Sequence, residues 1–216
     1  MTASQMLGWL LITAHILLVL FGLVRWRRLD PGCRYTWGWA VLGLIARLLQ
    51  ASLILPTDRL VVAHFYMPFS ALLAACALAT YQSTRHTADA VRFAGLGYVI
   101  AWAIITPLFE ELHEYSRWTA PLRALLIAVI AAVTVGKNRK LRRWPASEDR
   151  GTLIAATFFV LYLATGIVAP YAATYEPTRV VSVATMLLWR DVVVLAAMVP
   201  MLWAFMLHVP SAERLA

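Results

Sequence analysis

The stretch MLGWLLITAHILLVLFGLVRWRR, residues 6–28, decides the fold class. No residue from Met6 to Val24 is acidic or basic at neutral pH apart from the weakly basic His15, and Arg25, Arg27 and Arg28 follow at once. About 20 apolar residues wound as a helix cross the hydrocarbon core of a bilayer. A run of this length is therefore a spanning helix, and the arginines behind it set its direction. Lys and Arg are retained on the cytoplasmic side, so the N-terminus is expected outside. A cleavable secretory signal would need basic residues before the run. None precedes it, and the segment is expected to stay in the membrane.

Working outward, the same pattern recurs. Apolar runs fall at about 5–24, 36–56, 60–82, 91–110, 118–136, 152–172 and 180–207. The expected fold is all-α: one polytopic domain over 1–216, a seven-transmembrane helix bundle with N-out/C-in topology. Helices are required because backbone exposed to lipid must satisfy its own hydrogen bonds. The alternation of period two that marks a membrane barrel is missing. Composition points the same way. The chain is 62% hydrophobic and 14% charged, whereas a soluble domain is nearer half apolar and one quarter charged. The seventh run contains Arg190-Asp191 and Pro200 and is longer than a straight crossing needs. It is read as one long helix, tilted or kinked at Pro200.

The chain holds 19 Lys plus Arg and carries a net charge of +8. In a soluble protein that balance suggests nucleic acid. Here the basic residues sit between apolar runs, so they are topology signals, and no nucleic-acid partner is expected. Arg34, Arg85, Arg92, Arg150 and Arg214 join the first cluster on the cytoplasmic side, with Lys137, Arg139, Lys140, Arg142 and Arg143. The outer segments hold Arg59, Arg117, Arg123 and Arg179 and the acidic Glu110, Glu111, Glu114 and Glu176. The implied location is a bacterial-type inner membrane, with the lipid bilayer as the first partner. Trp26, Tyr35, Trp37, Tyr81, Trp118, Trp144 and Tyr171 lie near run ends, as interfacial anchors do.

The chemistry concentrates at membrane depth. His15, Arg47 and the pair Arg190-Asp191 each lie about nine to eleven residues from the outer end of a run, hence at nearly one depth at 1.5 Å per residue. Gln50 follows Arg47 by three residues and shares its helix face. A charge at a helix centre costs about 2.5–3.5 kcal/mol on insertion scales, so such groups turn inward and pair. Arg47 is expected to pair with Asp191, with His15 and Gln50 close by. One arginine, Arg190, is then left over, and a bound anion would suit it. The competing reading is a buried ion pair that only fixes helix packing. For His15 alone, a hydrogen bond to a helix carbonyl across an interface is the ordinary role.

Other signals are weaker. Glu110, Glu111, His113 and Glu114 read as a solvated helix cap before a metal site, because one imidazole with carboxylates is a poor ligand set. Cys33 and Cys76 lack the spacing of a redox or metal pair. A retinal Schiff base needs a lysine inside a helix, and both lysines sit in the 136–150 loop. No phosphate-cradling glycine loop occurs, and no motif identifies a cofactor. Lys137, Arg139, Lys140, Arg142 and Arg143 suit contact with lipid headgroups or a protein partner. The expectation is a non-enzymatic membrane protein that binds, and carries, a small anionic solute in the outer half of the bundle. A sensor acting through a cytoplasmic partner, or a structural subunit of a larger membrane complex, would use the same residues differently.

Overall fold

The computed structural model describes residues 3–53, 56–114, 116–140, 146–173 and 180–207, with side chains left out at 3–5, 56–57, 138–140, 146–149, 167–173 and 180–187. The chain is an all-α, multi-pass membrane protein. Among the described residues there are seven α-helices: α1 Ala3–Val24, α2 Pro31–Ser52, α3 Pro56–Ala79, α4 Arg85–Phe109, α5 Thr119–Lys140, α6 Ala146–Ala173 and α7 Val180–Met206. Five of them contain stretches long and apolar enough to cross a bilayer, in α1, α3, α4, α5 and α7. The described side chains of α6 give a shorter apolar stretch, Arg150–Gly166. The helix α2 has the length but carries Arg34, Arg47 and Gln50.

Each helix packs on its neighbour in sequence, and α1 closes on α7. The helix α3 takes the middle, packing on α2, α4, α5 and α6. Its sequence explains that place. Ala71, Ala74, Ala75, Ala77 and Ala79 are at most 1% exposed, and small side chains let helix backbones approach closely. The neighbours complete the fit with glycine: a Cβ on Gly95 of α4 would sit 2.6 Å from the Ala75 Cβ, and one on Gly166 of α6 would sit 2.5 Å from the Ala124 Cβ. Large apolar side chains point outward instead, among them Leu17, Phe93, Leu108, Leu125, Val199 and Trp203. Small residues at the α3 contacts and large apolar ones on the outer surface suit a particle whose solvent is lipid, while Phe158, Tyr162 and Phe205 fill the core elsewhere.

Helix ends depart from the apolar runs in a consistent way. The helix α2 begins at Pro31, not near residue 36, because Asp30 caps it: the Asp30 carboxylate accepts the Cys33 N–H at 2.8 Å, with Pro31 in the first turn. It stops at Ser52, before 56, where Leu53 turns extended. The helix α4 begins at Arg85 behind the Thr84 cap, α5 reaches Lys140, and α6 starts at Ala146. Polar first turns and caps do not register in a hydropathy run, so the helices extend past the spans. The seventh run is one continuous helix through Pro200. The segments holding Trp144, Arg142, Arg143, Glu176, Arg179 and Arg214, and the side chain of Tyr171, lie outside the described residues.

Candidate functional site

A cavity of about 560 Å³ opens among α1, α2, α3, α5, α6 and α7. Its lining residues, such as Gly8, Gln50, Arg59 and Ser116, place it at the end of the bundle where α1 starts and where the α2–α3 and α4–α5 connections lie. We call this the N-terminal end. Arg47 of α2 and Arg190 of α7 both reach the wall. Arg47 Nη2 donates to Asp191 Oδ1 at 3.2 Å, and Arg190 donates to the same oxygen from Nε at 3.0 Å and Nη2 at 2.7 Å. Two guanidinium groups therefore share one carboxylate, leaving one positive charge uncompensated within the cluster.

The Arg47 and Asp191 side chains are 25% and 20% exposed, so the expected buried ion pair is instead a partly exposed one, with Arg47 on the cavity wall. Its depth also differs from a count along the runs. Arg47 is five residues from the end of α2, about 8 Å, whereas Asp191 is eleven residues into α7, about 16 Å. The partners meet because α7 starts farther out than α2 ends.

His15 and Gln50 line the same cavity. His15 is 3% exposed. Its Nδ1 lies 2.8 Å from the Leu11 carbonyl of its own helix, not from a carbonyl across an interface, and so Nδ1 carries the proton and Nε2 is left free to accept. Opposite it lies Gly43, where a Cβ would meet His15 Nε2 at 3.0 Å and the Tyr66 hydroxyl at 3.8 Å. A glycine here gives the histidine and the tyrosine room. Gln50 donates to the Arg59 carbonyl at 3.1 Å, and Arg59 in turn caps the end of α2 by donating to the Leu53 carbonyl from Nε and Nη2.

Three groups stand differently from the sequence reading: Arg123 and His64, which it did not single out, and Glu110, which it read as a solvated cap. Arg123 of α5 is only 8% exposed and lines the cavity; it is not a loop charge. Its Nη1 donates to Ser70 Oγ at 3.1 Å, and its guanidinium lies 5.4 Å from the centre of the Tyr162 ring. His64 of α3 is buried, with Nε2 donating to the Glu114 carbonyl at 2.9 Å and Nδ1 3.9 Å from Glu110 Oε2. Glu110 is a cap, though a buried one: its side chain is 2% exposed. It accepts the Trp118 and Thr119 N–H groups at 2.7 and 2.9 Å, the orphan donors of the α5 N-terminus. The Ser116 and Thr119 hydroxyls add bonds of 2.8 and 2.6 Å. Burial pushes its pKa up, but the hydroxyl and N–H donors outweigh burial and hold it below the usual carboxylate value. His113 is exposed on the loop beside it. Among the described residues no group of three or more His, Cys, Asp or Glu is placed to hold a metal ion.

At the opposite, C-terminal end the described residues form a clamp. Asp30 Oδ2 accepts Arg150 Nη1 at 2.9 Å, and Oδ1 accepts the Tyr81 hydroxyl at 3.0 Å. Arg150 also donates from Nε to the Ala204 carbonyl at 2.8 Å and from Nη2 to the Leu207 carbonyl. It is 1% exposed, so it is an internal clamp and not a cytoplasmic loop charge. Tyr81 belongs to this clamp and does not anchor at an interface. Trp37 likewise ties α2 to α1 by donating to the Val19 carbonyl at 2.8 Å. Lys137 lies half-buried on the last turns of α5; the side chains of Arg139 and Lys140, and all of Arg142 and Arg143, lie outside the described residues.

Comparison with protein-family models, with curated proteins and with solved structures gives no match. Functional inference therefore rests on the chemistry of the site.

Proposed function

We propose that the chain is a non-enzymatic, seven-span protein of a bacterial-type inner membrane, N-terminus outside, that binds a small anionic solute in the N-terminal cavity and carries it across. The observation that carries this reading is the charge on the cavity wall. Among the described residues Arg47, Arg59, Arg123 and Arg190 line it, against one carboxylate-bearing residue, Glu114. Asp191 offsets only part of that charge. The volume falls in the range of small-molecule sites, roughly 300–1,000 Å³. A cavity open at one end and clamped at the other by Asp30 and Arg150 suits one state of a carrier.

The orientation draws on the basic residues that remain after Arg123 and Arg150 are counted as internal. Arg25, Arg27, Arg28, Arg34, Arg85, Arg92 and Lys137 belong to the C-terminal end, and Arg59 and Arg117 to the other. That bias favours a cytoplasmic C-terminal end. The experiment is paired. Anion binding is measured on the purified chain in nanodiscs, and anion flux on the same preparation in liposomes. Saturable binding and flux, both lost in a folded Arg47→Ala variant, are expected. Binding without flux would leave a sensor. Neither, in a chain that purifies with stoichiometric protein neighbours, would make it a structural subunit.

A further inference from the structure

Arg123 is the cation whose surroundings least explain it. It is more than nine-tenths buried, where an ionised group is costly unless it is paired. Among the described residues no carboxylate pairs with it, and its Nε has no hydrogen-bond partner. Glu110, the buried carboxylate at this end, is already held by donors from Ser116, Trp118 and Thr119. Only Nη1 of Arg123 is engaged, on Ser70. Among the described residues the edge formed by Nε and Nη2 meets no protein acceptor, and Nε is buried, on a residue that lines the cavity. That edge carries two parallel N–H donors, the arrangement that fits the two oxygens of a planar carboxylate. The Tyr162 ring behind the guanidinium fixes its plane.

The rest of the cavity says what else the ligand carries. Ile12, Leu60, Met67, Leu161 and Val194 supply apolar side chains to the cavity lining, beside Arg123, Arg47 and Arg190. A halide or inorganic phosphate would leave most of the 560 Å³ unfilled. Two further nitrogens on lining residues, His64 Nδ1 and Trp39 Nε1, are buried without a well-formed hydrogen bond.

We propose that Arg123 is the head-group anchor for an organic carboxylate, whose two oxygens sit on the Nε–Nη2 edge and whose apolar body lies along Met67, Leu161 and Val194. This rests on the reading of the cavity as an anion site and narrows it to one chemical class. Arg47 and Arg190 then add to the attractive field, and Arg123 supplies the directional bond.

The whole chain in lipid nanodiscs is titrated by calorimetry with benzoate, with its uncharged isostere benzamide, and with inorganic phosphate at equal ionic strength. Benzoate is expected to bind best, and benzamide at least about tenfold more weakly. Arg123→Lys keeps the charge and loses the planar fork; it is expected to weaken benzoate by about tenfold or more, with phosphate changed little. Oleate placed in the disc and benzoate in the buffer separate a bilayer source from an aqueous one, and dependence of either on Arg123 supports the anchor. Phosphate binding tighter than benzoate overturns the proposal, as does benzamide equal to benzoate, or Arg123→Lys equal to wild type. Should Arg123→Lys fail to fold, the benzoate and benzamide pair on the wild-type chain decides. Phosphate binding that is lost in Arg47→Ala, with benzoate silent, sinks the carboxylate anchor and keeps the anion site. Silence of every anion sinks both.

Discussion

The Asp30–Arg150 pair at the C-terminal end and the Asp191–Arg47 pair at the N-terminal end join the same two chemical groups, with opposite balance. At the C-terminal end one arginine meets one aspartate. Every arm is used: Asp30 takes Cys33 N–H, the Tyr81 hydroxyl and Arg150, and Arg150 also bonds two carbonyls at the end of α7. At the N-terminal end two arginines meet one aspartate, all three are partly exposed, and a third arginine, Arg123, faces the cavity without a carboxylate. A balanced, fully bonded pair is a fastener. An unbalanced one beside an open volume is a place for a missing anion. The difference lies in stoichiometry and in the burial of the arginines, since Asp30 and Asp191 are 22% and 20% exposed.

The sharpest way to break this comparison is Arg150→Ala. It takes the cation from Asp30, which is 22% exposed and keeps Cys33 N–H and Tyr81, and frees two helix-end carbonyls; the cost is expected between the roughly 1 kcal/mol of an exposed pair and the roughly 3–5 kcal/mol of a fully buried one. A large loss of thermal stability in nanodiscs is expected, with anion affinity unchanged in whatever fraction remains folded. A melting temperature close to wild type would mean that the C-terminal end is no fastener. Arg150→Met with Asp30→Asn, which removes both charges together, is expected to recover part of the loss, because the uncompensated carboxylate is gone.

Arg47→Ala is expected to do the reverse. The pair is part-exposed, and such pairs contribute about 0–1 kcal/mol, while Asp191 keeps Arg190 as a partner. Stability should change little and anion affinity should fall by about tenfold or more. Unfolding as severe as that of Arg150→Ala would place both clusters in one structural class. A subtler probe is Gly43→Ala. Its added Cβ would press on His15 Nε2 from 3.0 Å, and a severalfold drop in affinity with a nearly unchanged melting temperature is expected. An affinity equal to wild type would remove His15 and Tyr66 from the working wall.

What the sequence made legible follows the same divide. Apolar runs revealed the helices because hydropathy reports the solvent directly. Arg47 and Asp191 stood out because a charge deep inside an apolar run is costly wherever it points. Arg123 and Arg150 did not stand out, because each lies within a few residues of a helix start, where a cation is ordinary. Asp30 and Arg150 are 120 residues apart, and nothing local links them. The depth of Arg47 was misjudged for a related reason: the apolar run continues to Pro56, whereas α2 ends at Ser52. Periodicity locates helices, but which charge is interior depends on how the ring of helices closes.

The smallest expected effect lies between the two clusters, at Glu110. This carboxylate fastens the α4–α5 connection at the rim of the open end, so it tests whether that rim is built like the clamped end. Its folded pKa is held below its unfolded value of about 4.3. The stabilisation is therefore fully present above the unfolded pKa and is lost as pH falls through the folded one. Glu110→Gln keeps an acceptor oxygen for one of the two helix-end N–H groups but not the charge, and is expected to cost about 1 kcal/mol at neutral pH, the scale of a lost helix cap. The gap in melting temperature between wild type and Glu110→Gln should narrow as pH drops from 7 to below 4. Among the described residues, His64 on α3, Tyr98 on α4 and Glu111, Glu114 and Arg117 of the α4–α5 connection are titratable or charged groups near Glu110. A gap that stays constant across the whole range would mean that Glu110 holds the rim by shape alone, with no part in the charge pattern that distinguishes the two ends.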